Sequence, residues 1–217
     1  MKGLIIKDFL NIFKNFKVIV LMMVFYTALA ALTDGSGSFI NLLTLIFAMY
    51  FLSTFSYDEY AKWDTYALTM PLSRDSIVLG KYLTMLLMAL ISFTLNSALI
   101  IILNIVTMQN NLFKGIKVNA AAAAAVIFFY SIIIPVICKF GIIKARIYIL
   151  IIYMVPFFLG YLILNKITET YPAPPEKLIV FIETVYKNVY VIVPSVLIVL
   201  LGISYFISIR IYRKKEF

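Results

Sequence analysis

Long uncharged stretches alternate with short charged ones along the whole chain. A helix needs roughly 20 apolar residues to cross the hydrocarbon core of a bilayer, and six uncharged stretches reach or approach this length. They are Val18–Thr33, parts of Gly35–Tyr57 and of Tyr82–Phe113, then Val118–Cys138, Ile147–Asn165 and Asn188–Ile209. The pattern therefore predicts an all-α integral membrane protein with a six-helix transmembrane domain over residues 18–217.

Residues 1–17, ahead of the first span, form an amphipathic pattern of helical period. The apolar side carries Ile5, Phe9, Ile12, Phe13 and Phe16. The polar side carries Lys7, Asp8, Asn11, Lys14 and Asn15. Such a helix lies along the membrane interface with its lysines near anionic head groups, and we expect Lys7, Phe9, Phe13 and Lys14 to anchor it. An extension of the first span is the alternative.

The stretch Tyr57–Lys81, between the second and third spans, is long for this chain, and its first half is amphipathic. Its apolar positions at helical spacing are Tyr60, Trp63, Ala67 and Met70. Asp58 and Lys62 are spaced as an i, i+4 ion pair, Pro71 disfavours further helix, and Ser73 can cap the third span. The pattern predicts a helical protrusion at about residues 57–70. Mixed charge with an aromatic anchor suits a docking surface; a surface-lying loop without a partner is the alternative.

The stretch Lys166–Lys187, between the fifth and sixth spans, has the composition of a loop. Its sequence Tyr171-Pro-Ala-Pro-Pro175 is stiff and turn-like, because proline fixes its own φ. The apolar patch Leu178–Ile182 is too short to cross a bilayer and predicts an interfacial piece of this loop. We expect an extracellular loop at about residues 166–187.

The distribution of basic residues orients the predicted spans. An even number of spans places both termini on one side, and 14 of the 19 Lys and Arg residues fall on that side, against five on the other. Cytoplasmic loops of membrane proteins carry the excess of Lys and Arg. Both termini, and the protrusion at residues 57–70, are therefore predicted to be cytoplasmic.

Composition supports membrane placement and narrows the functions. Hydrophobic residues make up 64% of the 217 residues, only 13% are charged, and the mean hydropathy is +1.03. A soluble chain of this size would still expose about a third of its surface, so lipid must cover the remainder. The net charge of +9 lies in short clusters between spans, which argues against a nucleic-acid partner. Cys138 is the single cysteine and allows no internal disulfide, and no signal-peptide cleavage site follows the first span.

Most catalytic chemistry lacks its residues in this sequence. There is no histidine, which removes Ser–His pairs, His metal sites and His proton relays together. One cysteine cannot form a thiolate zinc site, and no G-x-x-x-x-G-K-[ST] loop is present to hold ATP. We expect this chain to be no enzyme and to bind no metal or cofactor itself.

The six predicted spans contain no ionisable residue, whereas ion-coupled transporters usually keep such residues in the bundle. The asparagines Asn41, Asn96 and Asn104 are polar groups at membrane depth. They can hydrogen-bond between helices or line a substrate cavity, and a sodium site of carbonyls and hydroxyls stays open. If the protein transports, we expect its energy to arrive from outside the chain, with the cytoplasmic protrusion as the place of entry.

Two segments together resemble a known family. The helix MKGLIIKDFL precedes the spans, and YDEYAKWDTYALTMPLSRDSIVLGKYL, Tyr57–Leu83, stands between the second and third. This arrangement resembles the ABC-2 type permease family of ABC transporters. Within it, the chain looks like small Gram-positive members similar to the permease subunits of the staphylococcal phenol-soluble modulin exporter.

The resemblance implies a homodimer of permease chains in the bacterial plasma membrane, with separate ATPase subunits that bind ATP and Mg. The helix at residues 57–70 would be the coupling helix, which docks on the ATPase and switches the permease between inward-facing and outward-facing states. Hydrophobic or amphipathic, membrane-active peptides would be the exported substrates. The residues implied in docking and coupling are Asp58, Glu59, Lys62, Trp63, Asp64, Met70 and Arg74. The chain lacks the sizeable extracellular domain of larger members, so an outer gate would come from Tyr171, Pro172, Pro174 and Pro175.

Two other functions fit the same pattern. A non-transporting immunity or sensor protein could sequester antimicrobial peptides without any ATPase activity. An ion-coupled secondary transporter would stop when the ion gradients are dissipated while ATP is maintained.

Overall fold

The computed structural model describes residues 2–33, 38–107, 112–170 and 188–215, and these parts are helical almost throughout, without a strand. Within them seven helices follow one another along the chain. They are α1 (Lys2–Phe13), α2 (Phe16–Leu32), α3 (Ser38–Tyr60), α4 (Trp63–Thr69), α5 (Arg74–Thr107), α6 (Leu112–Thr170) and α7 (Val189–Lys214). The predicted all-α class is confirmed.

Helix α6 is a hairpin of two limbs, residues 112–140 and 142–170, with Gly141 at the bend. Gly141 has φ 75° and ψ 165°, which no helix contains. The rings of Phe129 and Tyr153 lie 4.6 Å apart between centroids, although a straight helix would separate these residues by about 36 Å. The two limbs therefore fold back on each other, and each exceeds the roughly 20 residues that cross a bilayer.

Four helices of the described ranges are long and apolar enough to cross a membrane: α3, α5, α6 and α7. Helices α1 and α2 meet at an angle of 62° and pass as a fifth candidate when they are taken together. This count takes α6 as one helix, although its limbs run in opposite directions. The prediction of a multi-pass bundle is confirmed.

Contacts between distant parts of the sequence gather at one end of the bundle, which we call the α4 end. Lys7 of α1 reaches Asp58 of α3 there, at 2.6 Å, and Arg213 of α7 binds Asp75 of α5. The first helix and the last therefore meet the turn around α4 at the same end. The segments that the charge distribution predicts to share one side of the membrane lie together in space.

The packed interior lies between α3, α5 and the first limb of α6. Phe51, Met85 and Tyr130 are almost fully buried there. The rings of Phe51 and Tyr130 meet edge to face at 5.0 Å, and the Tyr130 hydroxyl donates a 2.6 Å hydrogen bond to the Ala48 carbonyl. Inside a bilayer such contacts hold helices together mainly by van der Waals packing and interhelical hydrogen bonds.

A neutral polar network joins α5, the first limb of α6 and α7. Pro135 has no N–H, so the carbonyl of Ser131, four residues before it, loses its helical donor. The Ser204 hydroxyl donates to that carbonyl at 2.5 Å. The Tyr82 hydroxyl lies 2.5 Å from the Ser204 hydroxyl and 2.8 Å from that of Ser208. We call these residues the hydroxyl network; they satisfy a backbone group that the proline frees at membrane depth.

The second limb of α6 and helix α7 turn large apolar side chains outward. Ile198 and Phe206 of α7 are among the most exposed apolar residues, and Leu150 and Phe158 lie open on the second limb. A surface this apolar is stable only where lipid or another chain covers it.

Candidate functional site

Four ionised side chains form a closed cluster at the α4 end, which we call the ion cluster. Lys7 Nζ lies 2.6 Å from Asp58 Oδ1 and 3.3 Å from Asp8 Oδ1. Lys81 Nζ lies 2.7 Å from Asp58 Oδ2 and 2.9 Å from Asp8 Oδ1. Each charge faces two of opposite sign, so the cluster is neutral while it ties α1, α3 and α5 together.

Neighbouring groups complete the surroundings of the ion cluster. The hydroxyl of Thr84 donates to Asp8 Oδ2 at 3.3 Å, and Lys81 donates to the Thr54 hydroxyl at 3.3 Å. Lys7 Nζ also lies 4.3 Å from the centre of the Trp63 ring, a distance at which a cation is attracted to the ring face. Buried charges persist only when they are paired and hydrogen-bonded in this way.

The position of Asp8 corrects the sequence interpretation of α1. The amphipathic pattern placed Asp8 on an exposed polar face, but the structure leaves it only 2% exposed, between the buried Leu4 and Ile12 on the packed side of α1. Two lysines from α1 and α5 compensate its charge. Phe13, predicted on the apolar side, is 56% exposed. The side of α1 that packs against the bundle is therefore the one that carries Leu4, Asp8 and Ile12, and Phe13 faces outward.

The predicted protrusion at residues 57–70 is divided into two helices. Helix α3 continues to Tyr60, Lys62 adopts a left-handed conformation with φ 47° and ψ 39°, and α4 begins at Trp63. Asp58 turns inward to the ion cluster, so the expected i, i+4 ion pair with Lys62 does not form. The prediction about Pro71 is confirmed, since α4 ends at Thr69 and Met70 is extended.

Helix α4 has a packed side and an open side. Ala67 is fully buried, and Trp63, Asp64 and Met70 are half-buried. On the open side Tyr66 is 57% exposed, and Tyr60 at the end of α3 is 70% exposed. Lys62, Thr65 and Thr69 are exposed beside these tyrosines, so the surface that another protein could meet is aromatic and hydroxylated rather than acidic.

The start of α5 is fastened to the end of α7. Ser73 caps α5 as predicted, since its hydroxyl accepts a 3.2 Å hydrogen bond from the N–H of Ser76. Arg74 donates to the carbonyls of Arg213 and Lys215 at 2.5 and 3.2 Å, and the Arg213 Nε donates to Asp75 Oδ1 at 2.8 Å. Arg74, predicted in docking, thus holds the C-terminal end of α7 beside the turn.

A cavity of about 320 Å³ lies beneath α4, between the ion cluster and the bend of α6. Its wall contains Asp58, Glu59 and Lys81, with Gly141 at the bend and Tyr212 of α7 opposite. Glu59 reaches across this space, and its Oε2 accepts a 2.5 Å hydrogen bond from the N–H of Ile142.

The three predicted asparagines of the membrane interior are all buried. Asn96 is fully buried and donates from α5 to the Thr44 hydroxyl of α3 at 2.9 Å. Asn104 donates to the Ile100 carbonyl of its own helix at 2.9 Å, and Asn41 is buried near the start of α3. Asn96 thus bonds between helices, the first of the two roles that its sequence position allows.

The other predicted residues have simpler positions. Lys14 of the predicted interfacial helix lies 5.8 Å from the ring centre of Tyr57, and Phe9 is half-buried against Phe13, with ring centroids 6.5 Å apart. The predicted outer gate, Tyr171, Pro172, Pro174 and Pro175, lies outside the described residues.

Sequence reasoning missed Lys81 and Gly141. Lys81 was counted as a cytoplasmic charge at the edge of the third span, because its ion-pair partners Asp58 and Asp8 are 23 and 73 residues away. Gly141 sits between the basic positions Lys139 and Lys144 and marks the turn between two spans. A glycine inside such a short connection is a signal of left-handed backbone, so it could have been singled out.

Together, the apolar bundle and the ionic turn at one end define a multi-pass membrane protein. A family model described as ABC-2 family transporter protein matches residues 3–213. The chain therefore belongs to the ABC-2 transporter family and is a membrane permease component of an ABC transporter. Membership implies an ABC ATPase as partner and a lipid bilayer as surroundings, and it confirms the family that the sequence resembles. No curated protein and no solved structure matches the chain.

Proposed function

We propose that this chain is the permease subunit of an exporter of amphipathic, membrane-active peptides, driven by an ATPase that docks on α4. The observation that carries the docking site is the open side of α4, which presents Tyr60 and Tyr66 next to an ion cluster leading into α1 and α5. Exposed aromatic residues are typical anchors of protein interfaces. A displacement of α4 would be transmitted to α1 and α5 through the ion pairs of Asp58 with Lys7 and Lys81.

The proposed topology has six crossings, with the α4 end in the cytoplasm of a bacterial cell. Counting α1 with α2 as one crossing and the two limbs of α6 as two supports this number. The excess of basic residues supports the orientation. The outward apolar faces of α7 and of the second α6 limb suit lipid and a second copy of the chain.

The substrate class rests on the resemblance of Tyr57–Leu83 to permeases of Gram-positive peptide exporters. Away from the ion cluster, the described apolar packing contains neutral polar groups such as Asn96 and Tyr82, which is compatible with an amphipathic cargo. The purified chain and its ABC ATPase partner would be placed in vesicles with a labelled amphipathic helical peptide. We expect ATP-dependent movement of the peptide that stops when the ATPase cannot hydrolyse ATP.

The docking surface is tested by substitution at its most prominent aromatic residues. Tyr66→Ala should weaken co-purification of the ATPase. Tyr190 is 66% exposed against 57% for Tyr66 and lies at the opposite end of the bundle, so Tyr190→Ala should leave co-purification unchanged. Trp63→Phe should retain ATPase binding, because that ring packs inward on Lys7. Equal binding by the Tyr66 and Tyr190 variants would place the docking surface elsewhere.

The same vesicles separate the other two functions. An immunity or sensor protein would retain peptide binding and protection with a hydrolysis-deficient ATPase. A secondary transporter would lose transport when ionophores collapse the ion gradients at constant ATP. Either result would contradict an ATP-driven exporter.

A further inference from the structure

The bend of α6 is closed by a side chain from another helix. Gly141 has φ 75°, a conformation that L residues with a side chain rarely adopt. A Cβ built on Gly141 would lie 2.8 Å from Glu59 Oε2 and 3.0 Å from Oε1. The carboxylate of Glu59 therefore occupies the space that any other residue at the bend would fill.

Glu59 also satisfies the helix that begins at this bend. The first N–H groups of a helix have no partner within it, and their dipoles favour a negative charge. Glu59 Oε2 accepts from the N–H of Ile142, at the start of the second limb, at 2.5 Å. A carboxylate of α3 thus caps a helix that lies 83 positions further along the chain.

Two consecutive acidic residues fasten the turn before α4 to different parts of the molecule. Asp58 is held by Lys7 and Lys81, so it is tied to α1 and α5. Glu59 is bonded to the α6 bend, and both residues line the cavity of about 320 Å³. Lys62 separates α3 from α4 only three residues after Glu59. Glu59 therefore links the start of α4 to the bend of α6.

We propose that Glu59 is a positioning residue that transmits displacement of α4 to the α6 hairpin, with Gly141 as the hinge. The source of the displacement is the ATPase docking stated above, so the proposal rests on that function. When α4 moves, the cap on Ile142 N–H moves with it, and the second limb changes its angle to the first. Glycine at the hinge allows both the bend and the close approach of the carboxylate.

The connection is tested first in the permease alone. Spin labels at Thr65 on the open side of α4 and at Ile147 on the second limb, in a Cys138→Ala background, report the distance between these elements. We expect one narrow distance distribution that broadens in Glu59→Ala and in Gly141→Ala. Glu59→Gln should fall between, because its amide oxygen still accepts from Ile142 N–H.

Two controls separate the contact from general damage to the fold. Gly160→Ala lies in the same helix with no atom within 4 Å of its new Cβ, and it should leave the distribution narrow. The double variant of Glu59→Ala and Gly141→Ala should be no broader than Gly141→Ala, since both remove one contact. A narrow distribution in Glu59→Ala with native circular dichroism overturns the proposal.

The second arm measures coupling with the ATPase bound and without labels. Glu59→Ala should move less peptide per ATP hydrolysed than the unchanged chain, with partial recovery in Glu59→Gln. Transport at the wild-type level in Glu59→Ala would contradict the proposal. If the unchanged chain binds no ATPase, the proposed function fails, while the distance distributions still decide whether Glu59 holds the bend.

Discussion

Two polar clusters begin at neighbouring residues of α5 and have opposite physical character. Lys81 points to α1 and α3 and joins a cluster of four ionised groups. Tyr82 points to α6 and α7 and joins a network made only of hydroxyls and one carbonyl. Both clusters are largely buried and both connect three helices.

The difference reflects what each part of the bundle can tolerate. A charge inside the bilayer costs several kcal/mol unless it is paired, and the buried carboxylates Asp8 and Asp58 lie at the α4 end, where each faces two lysines. The hydroxyl network joins α5 to the first limb of α6 and to α7. It contains no charged group, because a neutral hydroxyl is enough to satisfy the carbonyl that Pro135 leaves without a donor. The stability of the ion cluster therefore depends on equal numbers of positive and negative charges, whereas that of the hydroxyl network depends on the hydrogen bond that Ser204 donates.

The largest effect is expected for Lys81→Met. Removing this ammonium leaves Asp8 and Asp58 with Lys7 alone, and breaking a buried pair on one side typically costs about 3–5 kcal/mol. The free energy of unfolding would be measured by detergent titration, with the fluorescence of Trp63, which packs on Lys7, as the probe. Lys139→Met is the matched control, because this exposed lysine forms no ion pair among the described residues.

A partner variant sharpens this prediction. Asp58→Asn in the Lys81→Met background removes the excess negative charge and should restore part of the lost stability. A loss for Lys81→Met no larger than for Lys139→Met would show that the ion cluster contributes nothing to stability.

A smaller effect is expected for Ser204→Ala in the hydroxyl network. Interhelical hydrogen bonds in membranes contribute about 0.6 kcal/mol on average and up to about 1.7, and here the Ser131 carbonyl would lose its donor. Pro135→Ala supplies a backbone N–H for the same carbonyl. A double-mutant cycle with the same unfolding assay should therefore show Ser204→Ala costing less in the Pro135→Ala background. Additive effects would mean that Ser204 does not act through Pro135.

The smallest effect is expected for Asp75→Asn at the start of α5. Its ion pair with Arg213 is exposed on both sides, and exposed pairs contribute little and are screened by salt. The thermal unfolding midpoint should shift only slightly at low ionic strength and not at all at high ionic strength. A large shift that persists in high salt would put this pair in the same class as the ion cluster.

Particular residues show how far the sequence could be interpreted. The end of α4 and the start of α5 were predicted from Pro71 and Ser73, because these residues act on the backbone next to them in the chain. The sequence did not separate the exposed residues of the predicted docking surface from the buried ones. Inward-facing Asp58, Trp63 and Asp64 alternate with the exposed Tyr60 and Tyr66 on a short segment. Periodicity alone could not tell which of these side chains faces the bundle.

The sequence by itself determined the helical class, the membrane placement and the segments that meet at one end, because these depend on local runs of apolar and basic residues. Only the tertiary structure decided that Asp8 is buried, that Lys81 joins it, and that Glu59 closes the bend at Gly141. Those contacts join residues 73 and 83 positions apart in the chain. Charge compensation and helix capping across such distances depend on how the helices pack. Helix packing cannot be predicted from the pattern of neighbouring residues in the sequence.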